Sequence, residues 1–199
     1  QDRYIKFAFL TGVTKFGKVS VFSDLNNLTD ISMDHRYISI CGMTEKELLA
    51  NFKEGISELA SANEDNETET IDKLRMRYAG YYFEENSEEI YNPFSVLNTL
   101  ANSRYDDYWF KANTHTFLID ILKKHDYCIT DLNKAQVKAN MMNNVDSNPI
   151  PVIYQSGYLT IKSYDERFKN YQLGIPNKEI EEGILNLFPP ISKRRKTDC

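Results

Sequence analysis

The chain has 199 residues, 41% hydrophobic, 27% charged and 13% aromatic, with a net charge of −5. That is the make-up of a globular protein with one generous core or two small ones, and no apolar run approaches the roughly 18 residues that span a bilayer. The acidic balance gives no overall attraction to nucleic acid, and the acids concentrate at 64–69 and 84–89, which read as solvated loops.

Residues 4–11, YIKFAFLT, are rich in β-branched and aromatic types and stop at Gly12, so a buried strand is expected there. Next comes Gly12-Val13-Thr14-Lys15-Phe16-Gly17-Lys18, which lacks only the last letter of a phosphate-binding loop. Such a loop needs a hydroxyl directly after its lysine to reach magnesium; Val19 stands there, and Ser20 comes one residue late. The lysine of such a loop also opens a helix facing the phosphates, whereas VSVF (19–22) has strand-like composition. No apolar strand ends in the Asp that would hold magnesium. The segment reads as a strand-to-loop turn, and Asn26-Asn27 marks a further turn.

The first strong helix signal is Thr44-Glu45-Lys46-Glu47, a capping box followed by Leu48, Phe52, Ile56 and Leu59 at helical spacing. The acidic stretch 63–70 separates this helix from one near Ile71 to Tyr78 that stops at Gly80. In IYNPFSVLNTL, Asn92 caps a helix and Pro93 takes its first position, where a missing N–H costs nothing. Thr114 opens another, with Phe117, Leu118, Ile121 and Leu122 on one side and Lys123-Lys124-His125 at its end. Trp109, Tyr105, Tyr108 and Phe110 read as core. Residues 128–148 show only scattered apolar anchors, Leu132, Val137, Met141 and Met142.

The last third reads as a short helix ending near Gly157, a strand (158–162), a polar turn, a second strand (170–173), and a helix capped at Asn177 with Ile180, Ile184 and Leu187 inward. Helix, hairpin, helix is the order of a winged-helix-like module. Three widely spaced cysteines (Cys41, Cys128, Cys199) form no C-x-x-C pair and suit a reducing, cytoplasmic setting; the three histidines show no zinc spacing, so no metal is expected. The chain opens on Gln1 rather than Met and reads as a fragment of something longer.

Taken together, YIKFAFLTGVTKFGKVSVFSDLNNLTDISMDHRYISICGMTEKEL closely resembles the downstream half of the AAA-ATPase-like module of gut and oral bacteria. RYAGYYF, YNPFSVLN, YWF, HTFLIDILKK, QSGYLTIKSYD and LGIPNKEI continue the resemblance in the same order, up to about Leu187. In that family the ATP-binding loop and the acidic metal-binding strand lie upstream, and a restriction-endonuclease-like nuclease domain often lies downstream. The resemblance implies a mostly α protein with a minor β part (α+β): residues 1–43 as a remnant of the P-loop ATPase sheet, 44–148 as a helical lid, 149–190 as a winged-helix-like end and 191–199 as a basic tail.

It also implies roles. Ligands of open α/β sheets sit at the carboxyl ends of strands, so Thr11 or Thr14 would be the sensor hydroxyl, with Lys15 or Lys18 as charge partner in the transition state. Arg75 or Arg77, two apart on a helix and so facing different sides, would reach the nucleotide from the lid; the plainer reading of each is a solvated or ion-paired side chain. ATP and magnesium are implied for the full-length family, with neither bound by this chain alone. Implied partners are the upstream ATPase core, the downstream nuclease and, through an uncovered strand at 4–11 with Ile5, Phe7, Phe9 and Leu10, a second copy, unless the N-terminus rearranges.

A second reading makes the chain a nucleic-acid- or protein-binding module, with Lys162, Lys169, Lys178 and the tail Lys193-Arg194-Arg195-Lys196 as phosphate contacts. Against it stand the net acidity and Asp165, Glu166, Glu179, Glu181 and Glu182 in the same region. An independent enzyme is the weakest reading, because no nucleophile elbow, Cys–His arrangement or apolar-set carboxylate pair is visible.

Overall fold

A computed structural model describes residues 6–12, 29–85, 87–113, 115–125, 127, 129–142 and 148–187. The anticipated capping box is formed: the Thr44 hydroxyl accepts from the Glu47 N–H at 3.2 Å, and the Glu47 carboxylate takes the Thr44 N–H at 2.9 Å, starting α1 (Glu45–Asn51). The helix does not run on as the spacing suggests. It breaks at Phe52, whose backbone leaves the helical region, and α2 (Lys53–Ala62) restarts at once. Ile56 and Leu59 of α2 are nonetheless buried beside Leu48.

The helix α3 (Glu67–Tyr78) starts earlier than anticipated, because Asn66 and Glu69 form a second capping box inside the acidic run. It ends as expected before Gly80, which has φ +87. Asn92 caps α4 (Pro93–Asn102) through the N–H groups of Phe94 and Ser95. A two-stranded antiparallel ribbon, β1 (Met43–Thr44) with β2 (Ile90–Tyr91), ties the start of α1 to the start of α4. These elements enclose one apolar core, with Leu48, Ile56, Leu59, Leu74, Tyr78, Tyr91 and Val96 at its centre.

A second core follows. Its walls are α5 (Tyr108–Ala112), α6 (Thr116–Lys124), α7 (Ile129–Leu132), α8 (Ile150–Gln155) and α9 (Lys178–Leu187), with the strands β3 (Gln136–Lys138), β4 (Thr160–Asp165) and β5 (Asn170–Gly174). The sheet is antiparallel in the order β3-β5-β4. Leu118, Leu122, Ile153, Leu173, Ile180 and Ile184 fill it. Trp109 and Phe110 join this core as anticipated, whereas Tyr105 packs on the first one. Strand β3 lies before residue 148 yet pairs with a strand after it, so this core spans both the lid and the winged-helix-like stretches drawn from sequence.

The protein is thus α+β, mainly helical with two small antiparallel sheets. The buried strand anticipated at 4–11 is not present within its described part. Residues 6–12 are irregular and exposed, with Phe7 83% and Leu10 58% accessible. No described strand lies beside them to supply a hydrogen-bond ladder, and without one apolar composition alone does not hold a chain extended and covered. The anticipated strand at 19–22 lies outside the described residues, as do Thr114 and the basic tail. No helix among the described residues is long and apolar enough to cross a membrane.

Candidate functional site

The two cores meet along a seam built from the segments 77–83, 91–98, 107–110 and 173–182. Gly80 is a tight crossing: a Cβ there would lie 2.1 Å from the Pro176 carbonyl oxygen, and the left-handed backbone itself favours glycine. Beside it, Asn177 does two things. Its Oδ1 accepts from the Ile180 N–H at 3.2 Å and caps α9, and its Nδ2 donates to the Ala79 carbonyl at 2.7 Å.

One turn on, Glu179 is fully buried. Its carboxylate accepts from the Ser95 hydroxyl at 2.7 Å and from the Trp109 N–H at 2.9 Å, and so links α9, α4 and the start of α5. Burial pushes the Glu179 pKa up; the donors Ser95, Trp109 and Phe110 pull it back, and the neighbouring Asp107 raises it further. Tyr78 and Tyr81 also face this charge. The Tyr78 hydroxyl is itself held, donating to the Asp106 carbonyl and accepting from the Asp106 N–H. The Tyr81 hydroxyl donates to the Gly157 carbonyl at 3.3 Å.

Arg77 completes the seam. Its guanidinium bridges Asp107 at 2.6 Å and Glu182 at 2.8 Å, while its Nε is buried without a partner. Desolvation works against its charge, but the two carboxylates outweigh it and hold the pKa above the usual arginine value. Arg75 faces another way, as the two-residue spacing requires. It reaches Glu45 at 2.6 Å and Asp72 at 3.0 Å, and Glu45 also accepts from the Tyr91 hydroxyl. Both arginines are therefore engaged by carboxylates, and a phosphate approaching either would meet those carboxylates as like charges.

Of the residues assigned to ATP sensing, Thr11 lies exposed in the irregular segment 6–12, and no hydrogen bond among the described residues joins it to Arg75 or Arg77. Thr14, Lys15 and Lys18 lie outside the described residues. Among the described residues no group of three or more His, Cys, Asp or Glu side chains is arranged to hold a metal. Ser95 and Glu179 were not anticipated from sequence; their one signal is that each lies in a segment carrying the resemblance, YNPFSVLN and LGIPNKEI.

The described residues define an α+β protein with two cores joined by buried polar groups. No family model and no solved structure matches the chain. A curated protein of Azotobacter chroococcum mcd 1, named "Uncharacterized protein in vnfD 5'region", is 34% identical over 207 aligned residues. The match takes in 98% of this chain and 38% of that protein, so the chain spans well under half of its relative's length.

Proposed function

We propose that this chain is the lid and sensor part of an AAA-ATPase-like protein, passing on the state of ATP bound elsewhere in the parent. The observation that carries this reading is the seam: Arg77, Ser95, Trp109, Asn177 and Glu179 all belong to the ordered segments of the resemblance, and all converge on the contact between the two cores. A lid that reports a nucleotide state must move as one body with the module behind it, and a water-excluded polar contact couples two bodies in one register better than an apolar one. The exposed Phe7, Phe9 and Leu10 suit a segment whose cover is the upstream sheet. In this reading Thr11, Thr14, Lys15 and Lys18 face the phosphates, and Arg75 and Arg77 serve architecture before nucleotide contact.

The alternative, a winged-helix-like binding module, draws on the strand order β3-β5-β4, with α8 preceding the hairpin. Its nucleic-acid form is disfavoured by charge. Helix α8, IPVIYQ, has no Lys or Arg, and Lys178 is drawn to Glu182 at 3.5 Å.

Titration calorimetry with ATP and magnesium separates the readings, run on this chain and on a longer form that restores the upstream core. Binding by the longer form only, weakened by Thr11→Ala or Lys15→Ala, is the expected result. Binding by neither form, or tight binding of duplex DNA by this chain, overturns it.

A further inference from the structure

The chain enters the first core through residues 31–42, and this segment is fastened near its two ends to different bodies. At one end Met33 packs against the buried residues of the second core. At the other, Gly42 passes over Ile90 so closely that a Cβ would lie 2.1 Å from the Ile90 Cγ2, and Met43, buried in the first core, pairs with Tyr91 in the β1–β2 ribbon. The stretch from Met33 to Met43 therefore links the two cores in addition to the seam.

Between these anchors the chain is held by its own neighbours. Four backbone bonds close one after another: the Asp34 N–H to the Ile31 carbonyl at 3.2 Å, Tyr37 to Asp34 at 2.9 Å, Ile40 to Tyr37 at 3.1 Å and Gly42 to Ser39 at 3.1 Å. The Asp34 carboxylate takes the Arg36 N–H at 3.0 Å and pairs with the Arg36 guanidinium at 2.6 Å, which fixes the short 3-10 helix His35–Tyr37. No hydrogen bond or ion pair among the described residues joins 34–41 to either core, and Tyr37 and Ile40 are exposed.

A run of such turns can lengthen. Turns closed over three residues advance about 2 Å per residue and extended chain about 3.3 Å, so freeing Met33 and opening the turns releases on the order of 10 Å of chain with the Met43 anchor in place. The seam is held differently: Gly80 against Pro176, Asn177 on Ala79 and Glu179 on Ser95 must all part before the cores separate. A segment with few buried contacts and solvent-facing hydrogen bonds opens before one built like the seam. Short segments of this kind beside rigid bodies are where hinge motion is absorbed.

We propose that residues 31–42 are an extensible hinge with Met33 as its catch, through which whatever is joined to the chain before residue 31 swings toward or away from the two cores while these stay locked to each other. The lid reading bears only on what swings; the hinge needs no nucleotide, so either can fail while the other stands. The test is single-pair energy transfer on the full chain, labelled at Thr29→Cys and Leu185→Cys with Cys41, Cys128 and Cys199 replaced by serine. A main population at short separation is expected, and Met33→Ala is expected to move the majority to a longer one. Amide exchange at Trp109 and Ile180, whose N–H groups are held by Glu179 and Asn177, is expected to stay unchanged. The same distribution with and without Met33→Ala, or faster exchange at Trp109 and Ile180 in that variant, overturns the proposal. If the labelled background fails to fold, the unlabelled protein still decides: the Asp34, Tyr37 and Ile40 amides are expected to exchange several-fold faster in Met33→Ala, and equal rates overturn the hinge.

Discussion

The Ser95 hydroxyl and the Glu179 carboxylate, 84 residues apart in sequence, meet at 2.7 Å with both side chains sealed from solvent. Removing the hydroxyl leaves the carboxylate buried with backbone donors alone. Ser95→Ala is therefore expected to cost about 1–3 kcal/mol, read as a lower urea midpoint at constant slope. Glu179→Ala is expected to cost more, since it strands the hydroxyl and the Trp109 N–H together. A Ser95→Ala variant within a few tenths of a kcal/mol of wild type would remove this bond from the account of how the cores are joined.

The same carboxylate carries a pH signature. Its pKa is higher in the folded protein than in the unfolded chain, where a glutamate titrates near about 4.3, so the folded state holds the proton more tightly. This group's stabilisation is complete below the unfolded value and is lost as pH rises through the folded one. Glu47, lowered by its bonds to Thr44, and Asp106, lowered first by Lys111, act in the opposite sense: their stabilisation is present above the unfolded pKa and fails as pH falls through the folded value. Glu179→Gln should thus gain on wild type as pH rises from the acid side, in urea unfolding followed across pH. Parallel curves for the two proteins would refute the assignment.

Gly80 and Gly157 both have left-handed backbones, with φ +87 and +83, but differ in what surrounds them. At Gly157 an added Cβ would meet only the Trp109 ring at 3.5 Å, an ordinary contact, so Gly157→Ala should cost about 1 kcal/mol of backbone strain. At Gly80 the same atom collides with the Pro176 carbonyl, and backbone cannot turn aside as a side chain can. Gly80→Ala is expected to cost about 3 kcal/mol or more, or to prevent folding. Equal losses at the two sites, by thermal or urea denaturation, would show that crowding at the seam does not decide the matter.

The capping boxes make a local prediction. Thr44→Ala and Asn66→Ala are each expected to cost about 1 kcal/mol, and because the two sites start different helices the double variant should lose close to the sum. A loss in the double variant far from additive would tie the two caps into one cooperative unit.

What could be read in advance follows the range of the interaction concerned. Thr44, Asn92 with Pro93, and Gly80 act on their own few residues, and the elements they start or stop lie where those residues indicate. Asn66 with Glu69 is equally local but sits among solvated acids, so its pattern was masked by composition. The strand at 136–138 has one buried side chain, Val137, and owes its conformation to β5 more than thirty residues later. Glu179 stands among Lys178, Glu181 and Glu182 and reads as one more surface charge; only the helix packing shows that its side alone turns inward. At 6–12 the failure runs the other way: composition indicates a strand, and no described neighbour makes one.

The seam also dictates an order of events during synthesis. Asn177 reaches back 98 residues to Ala79, and Glu182 reaches back 105 to Arg77. While the ribosome is still adding residues before 176, the first core can close its apolar interior, but Ala79, Gly80 and Ser95 still lack Pro176, Asn177 and Glu179, and Arg77 has only the Asp107 half of its bridge. That face is left wet until α9 emerges. A nascent chain stalled short of α9 should therefore present it to chaperones and proteases as a half-finished surface, and release of α9 should end that exposure in a single step.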